Sequence, residues 1–443
     1  MARAAMILGL AAALGLAGCA TAPEPATSNA RPLTSITLPK PGSFLALSDV
    51  HYDGNATDQW GRNHETSKVL WTRAQAEAQS IIAADDPAFI IYLGDLPAHG
   101  MPQSVREQQF RAVLDGLQGL VAGSDRRLLF LPGNNDSDGE DYCAFTTGGE
   151  TPFAAATDPS AWPVVNAKPG DIIDASQLAR GFYAAYPLGK PGAGRSGPAL
   201  RLLALNTVIF NPNYGVFNKG DCVDAATRQA DANAQLEWLA AQLAATRMAG
   251  DKAMLAMHVP PGTDGYSGYP NWNPALLYTG SDAALAPYVG KPVQDAYLGL
   301  VAAYQAEITG TMSSHTHLND MRRLRDCAGA VTELDLSIPA ITTDHGSNPA
   351  MQLFAYDARY DWLERTTRFA SEKTGKDWAA KNSFGFADNY PCTNCTGGET
   401  MAQRIAKIDD ADLLAGMLNY LTVKRGIGSG PNYAAAMDVR CSG

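Results

Sequence analysis

Five of six short apolar runs in this chain are followed, within a few residues, by side chains that ligate metal ions. The runs at 44–47, 89–93, 128–131, 200–205, 253–257 and, more weakly, 308–312 have strand character. They alternate with segments of helical spacing at 65–84, 105–120 and 225–248. That alternation predicts an α/β architecture, in which sites lie beyond the strand ends. The ends read Asp49-Val50-His51, Gly94-Asp95, Gly133-Asn134-Asn135-Asp136, His258 and His315-Thr316-His317.

In an extended segment, residues two apart point to the same side, so Asp49 with His51 and His315 with His317 can each reach one small volume. Two carboxylates, four imidazoles and one amide oxygen exceed what one tetrahedral ion needs. Such mixed N/O donors suit zinc first, with manganese or iron as alternatives, and not calcium. Two divalent cations would leave the site positive enough for a phosphate. The chain as a whole is not: its net charge is −11, which argues against a nucleic-acid duplex or an anionic membrane surface as main partner.

The ordered strand-end motifs resemble those of the calcineurin-like metallophosphoesterase superfamily, D-x-H, G-D, G-N-H-[DE], H and G-H-x-H. Gly94-Asp95-Leu96-Pro97-Ala98-His99, His258 to Gly262 and Asn348-Pro349 narrow the resemblance to the acid sphingomyelinase-like phosphodiesterases. It covers residues 43 to about 357. The implied fold is an αββα sandwich of two packed mixed β-sheets flanked by helices. The implied ligands are Asp49, His51 and His317 for one ion, Asn134, His258 and His315 for the other, and Asp95 between them. The implied chemistry is in-line attack on phosphorus by a hydroxide held at a dinuclear centre. The expected substrate is a small-molecule or lipid phosphate ester, a diester before a monoester. Ala98 stands where a purple acid phosphatase would have Tyr.

Two positions depart from the pattern. Asn135 replaces the motif histidine that in the family stabilises the phosphate or protonates the leaving oxygen, and an amide is no general acid near neutral pH. His99 is then the candidate acid. Ser314 stands where glycine is common, an exchange expected to be mild. Asn135 also supports a rival reading, a catalytically degenerate metal-binding envelope lipoprotein.

The N-terminus carries Arg3 and then an uncharged run to Gly18, too short to span a bilayer and typical of a signal peptide at residues 1–18. Leu16-Ala17-Gly18-Cys19 resembles a bacterial lipobox, which implies a lipid on Cys19 and an outer-membrane lipoprotein on the periplasmic side. Residues 19–42, with four prolines before Pro41, read as a tether. Residues 43–365 are the expected catalytic domain and 366–443 a mainly helical, cysteine-containing C-terminal subdomain. Six cysteines beyond Cys19 suggest up to three disulfides of open connectivity, with half a zinc site at Cys392 and Cys395 as the minor alternative.

Other features are less specific. His64 and His345 fall outside the motifs, His345 reading first as a loop residue with a structural hydrogen bond and second as one that reaches the cleft. Tyr266, Tyr269, Trp272 and Tyr278 form either a ligand-gripping loop or a self-packed one. Asp136, Asp138, Glu140 and Asp141 lack a full EF-hand pattern and read as supporting or solvated groups.

Overall fold

The structure is a computed structural model that describes residues 41–56, 65–137, 139, 141–146, 148–195, 197–216, 222–371, 375–379, 381–426 and 432–442. The signal peptide, Cys19, nearly all of the tether, His64, Asp138 and Glu140 lie outside the described residues.

Along the chain, β1 (Gly42–Leu47), β2 (Phe89–Tyr92), β3 (Arg127–Phe130) and β4 (Val164–Val165) begin one sheet. A second sheet follows with β5 (Ile172–Asp174), β6 (Tyr183–Ala185), β7 (Leu200–Ala204), β8 (Lys252–Ala256), β9 (Ile308–Ser313), β10 (Met321–Arg325) and β11 (Val331–Ser337). The chain returns to the first sheet through β12 (Ala350–Tyr356), β13 (Trp362–Phe369) and β14 (Ser383–Gly385), and β15 (Asp438–Val439) closes the second. The sheet orders are β14-β13-β12-β1-β2-β3-β4 and β15-β10-β11-β9-β8-β7-β6-β5. Both are mixed: β1, β2 and β3 run parallel, as do β7, β8, β9 and β11, with antiparallel partners beside them.

Strand alternation explains why the layers stack. Phe44, Ala46, Phe89, Ile91 and Leu129 face Leu202, Ala204, Met254, Ala256 and Met312 in a core between the sheets. The intervening residues Leu45, Leu47, Ile90, Tyr92 and Leu128 pack outward against α1 (Lys68–Asp85) and α2 (Gln103–Leu120). On the far side, Leu203, Leu205, Ala253 and Leu255 pack against α3 (Ala225–Ala249) and α4 (Val293–Ala303). The result is helices, sheet, sheet, helices. Both faces of the central strands are covered, which is why these runs are continuously apolar.

The C-terminal segment combines α5 (Phe386–Asn389), α6 (Met401–Ile405), α7 (Asp410–Tyr420) and α8 (Tyr433–Ala436) with strands at the edges of both sheets. Met401, Ile405, Leu413 and Met417 join the core between the sheets. Charged strands such as β10 (Met-Arg-Arg-Leu-Arg) and β13 are not evident from hydrophobicity. In β10 the arginines are neutralised in the fold: Arg323 bonds Asp438 and Asp410, and Arg322 bonds Asp320.

Three disulfides are formed: Cys143–Cys222, Cys327–Cys441 and Cys392–Cys395. The last pair is thus bonded to itself and offers no thiolate to zinc. No helix among the described residues is long and apolar enough to cross a membrane. Cys327–Cys441 closes a sequence separation of 114 and Cys392–Cys395 one of only 3. The loop-entropy difference is about 3 kcal/mol. C327S/C441S is therefore expected to lower the guanidinium unfolding midpoint far more than C392S/C395S; equal shifts would contradict this placement.

Candidate metal centre

In-register parallel pairing aligns the ends of β1, β2 and β3, with Leu47 beside Tyr92 and Tyr92 beside Phe130. The chain turns beyond each end, at Asp49, Asp95 and Asn134. The adjacent strands β8 and β9 of the other sheet deliver His258, His315 and His317. Glycine is required at two of these turns. A Cβ on Gly94 (φ +97°) would lie 2.3 Å from Gly133 N, and one on Gly133 would lie 2.1 Å from Asp95 Oδ1.

The turns are locked by a few buried polar groups. Asp136 accepts hydrogen bonds from the backbone N–H of Asp95 (2.7 Å), Leu96 (2.8 Å) and Gly133 (2.7 Å). Its carboxyl is pushed up to about 6 by burial and then by the charge of Asp95. Tyr92 accepts from Val50 N (3.2 Å) and donates to Asp95 O (3.0 Å), joining the first two turns. Arg106 of α2 donates to the carbonyls of Asn135 and Ser137 at 2.6 Å each.

All seven side chains singled out as ligands converge. Asp49, His51 and His317 form one group of donor atoms lying within 4.8 Å of one another, and Asp95, His258 and His315 form another. Asp95 Oδ2 lies 3.3 Å from His51 Nε2 and 3.2 Å from His258 Nε2, between the groups. His258 Nε2 is 3.0 Å from Asn134 Oδ1, and Asn134 is oriented by donating through Nδ2 to Asp141 Oδ1 at 2.7 Å. His258 Nδ1 donates to Leu93 O at 2.7 Å, so Nε2 faces the centre and can offer its lone pair to a cation once its proton is lost. Ser314 Oγ donates to the same carbonyl and sits 2.9 Å from Nδ1. Its hydroxyl therefore belongs to the support of His258.

The residues fit divalent cations. Asp49 is fully buried, yet neither carboxylate oxygen has a hydrogen-bond partner. The Nε2 atoms of His51 and His317 face each other at 3.1 Å. A buried carboxylate that accepts no hydrogen bond is costly unless something positive sits beside it, and two ring nitrogens this close share one proton or one cation. Backbone strain concentrates here too. Of twelve described non-glycine residues with positive φ, five are ligand candidates: Asp49, His51, Asp95, His315 and His317. Each costs about 1–2 kcal/mol.

The remaining candidates separate. His99 stacks on His51, with ring centroids 4.5 Å apart, and its Nδ1 lies 2.7 Å from Glu65 Oε1. It lines a cavity of about 1130 Å³ with Asp95, Asn134, His315 and His317. Asn135 is fully buried and turned inward, its N–H donating to Asp95 Oδ1 at 2.8 Å and its Nδ2 to Oδ2 at 3.3 Å. Glu65 was not evident from sequence, because no motif surrounds it. Burial raises its pKa, but His99 and His51 outweigh this and hold it below the ordinary value. The aromatic cluster divides: Tyr266 and Tyr269 are exposed on the cavity wall, while Trp272 and Tyr278 are buried.

Burial disfavours charge on every imidazole, but its neighbours decide the outcome. Asp95 and Asp49 raise His258 to about 9, and the neighbouring carboxylates of Asp49 and Asp95 raise His51 well above its usual value. His315 falls to about 3 through burial and the charge of His258, and His317 is likewise lowered by burial and by His345 and His51. Asp95 is held well below the carboxylate range by His258 and His51, against burial.

The sequence model of the family described as calcineurin-like phosphoesterase matches residues 42–317. The chain is 24% identical over 314 residues to a sphingomyelinase phosphodiesterase D of Dictyostelium discoideum, covering 70% of this chain and 61% of that protein. It is 25% identical over 316 residues to a sphingomyelin phosphodiesterase of Bos taurus, covering 68% and 42%. It thus spans less than two thirds of the length of these relatives. A dimetal phosphatase from Danio rerio aligns with a TM-score of 0.42 at 13% identity, over 74% of this chain and 95% of that one.

A cation takes imidazole only as a neutral donor, so loading must displace protons from His51 and His258. Binding of Mn²⁺ or Zn²⁺ at pH 7.5 is expected to release about one to two protons, read by calorimetry in buffers of different ionisation enthalpy. Affinity should rise with pH up to about 9, where His258 loses its proton. Binding without proton release would contradict the assignment.

Proposed function

The chain belongs to the calcineurin-like phosphoesterase family, and from that membership we propose that it is a metal-dependent phosphoesterase acting on a phosphodiester. The observation that carries this reading is the convergence of seven N and O donors around the unpartnered carboxylate of Asp49. Asp49, His51 and His317 would hold one divalent cation and Asn134, His258 and His315 the other, with Asp95 shared. Zinc fits this donor set first. Such a pair lowers the pKa of a bound water and neutralises charge on a phosphoryl oxygen.

The side chains around the centre do the rest. His99, held through Nδ1 by Glu65, presents its other nitrogen toward the cavity and protonates the leaving oxygen. Glu65 keeps the ring in one orientation, and its charge stabilises the imidazolium. The cavity wall of Tyr266, Tyr269, Leu318, Leu421 and Tyr433 gives the second ester substituent an apolar surface, which favours a diester, and a lipid or aromatic one in particular. The names of the relatives point to the same substrate type.

Export to the periplasmic side of the envelope, with a lipid on Cys19, completes the proposal. The disulfides support it, since such bonds persist in oxidising compartments. On this reading residues 43–365 are the catalytic domain, with 366–443 folded onto it.

After chelation, bis(p-nitrophenyl) phosphate hydrolysis should vanish and return with Zn²⁺ or Mn²⁺, faster than p-nitrophenyl phosphate hydrolysis. No metal-restored turnover would favour the metal-binding scaffold, the reading to which Asn135 points. H99A should lose about 10²–10⁴-fold on alkyl diesters and much less on p-nitrophenyl esters. A loss independent of leaving group would remove His99 as the acid.

A further inference from the structure

The inward turn of Asn135 leaves a gap in the chemistry. At the position where the family places an imidazole against the phosphate, this chain has an amide committed to Asp95 and absent from the cavity surface. An anionic phosphoryl group entering the cavity still needs donors beyond the cations. The other ionisable side chains lining it are mostly acids or imidazoles, including Asp95, Asp141 and Asp264.

One wall supplies what is missing. His345 lines the cavity, its side chain is 49% exposed, and its ring centroid lies 4.6 Å from that of His317. Its backbone is left-handed (φ 60°, ψ 3°), the conformation shared by five of the ligand candidates. That conformation is costly for a residue with a side chain, and such strain persists where the surroundings enforce it. Here they do: Thr342 N donates to Asp49 O at 3.0 Å, tying the turn directly to the metal centre, and Gly346 N donates to Thr343 O at 3.1 Å. Across Gly346 lies Arg425, whose Nη1 would be 3.1 Å from a Cβ at that glycine. Arg425 is the one Arg or Lys among the described residues lining the cavity.

We propose that His345 and Arg425 form the grip on the phosphoryl oxygens of the substrate, in place of the histidine that Asn135 replaces. The proposal rests on the phosphoesterase reading for its substrate, but the grip itself is an anion site. A ring N–H beside His317 and a guanidinium fork beyond it can each donate to a non-bridging oxygen, and charge-assisted bonds of this kind are strong. The pair lies on the turn after β11 and on the loop after α7, so the C-terminal segment contributes directly to the site.

The test uses the metal-loaded chain with H345G, H345N and R425Q. Glycine and asparagine both accept positive φ, so the histidine variants remove the imidazole without straining the turn. The inhibition constant of inorganic phosphate against bis(p-nitrophenyl) phosphate hydrolysis should rise about tenfold in H345G and in R425Q, and kcat/KM should fall about 10–100-fold. Metal content should stay at two per chain and the melting temperature near that of the wild type. H345N, which keeps an N–H donor, should recover part of the loss. Phosphate inhibition and kcat/KM within twofold of wild type in H345G would overturn the proposal. So would loss of a metal ion, which would make His345 a ligand together with Asp344 and His317. If the wild type shows no metal-restored turnover, the phosphoesterase reading falls separately. Calorimetric titration of inorganic phosphate then decides the grip, and equal binding by wild type and H345G overturns it.

Discussion

The centre depends on one carboxylate that does not line the cavity. Asp136, fully buried, gathers the N–H groups of Asp95, Leu96 and Gly133, and so holds the turns after β2 and β3 against each other. Asn135 answers by donating its N–H to Asp95 Oδ1. Without that reciprocal tie, the carboxylate of Asp95, 3.3 Å from His51 Nε2 and 3.2 Å from His258 Nε2, would be free to rotate away from both. Three backbone donors satisfy Asp136 well enough to offset much of the desolvation it suffers.

The rest of the centre follows from geometry imposed on the strand ends. Ligands with one or two side-chain torsions cannot reach a common volume from regular strands of two sheets. The backbone turns sharply instead, and the left-handed residues collect there. Glycine relieves only the positions where a side chain would collide, Gly94 and Gly133. Five of the seven ligand candidates themselves carry the strain, which the surrounding sheets and core are rigid enough to hold.

Support also arrives from a distance. Tyr142, whose ring edge meets His315, donates its N–H to Asn134 O, and the neighbouring Cys143 is bonded to Cys222. A long irregular insertion thus ends up bracing two ligand candidates. The C-terminal segment does the same from the other side, with strands at both sheet edges and Tyr433, Leu421 and Arg425 at the cavity.

The amino-acid sequence by itself determined the alternation of strands and helices, the six central strands to within a residue or two, and the identity of the seven converging donors. These are local properties: apolar runs set the strands, and donors placed just past their ends must share one edge of a sheet. Strands β10 and β13 were hidden because Arg323, Arg325 and Arg368 meet acids far along the chain, and charge in a strand carries no signal without its partner. Only the tertiary structure decided that Glu65 backs His99, that Asn135 turns inward, that Ser314 supports His258, and that His345 meets His317. Each of those depends on side chains brought together across tens of residues, where distance in space is set by packing and not by spacing in the chain.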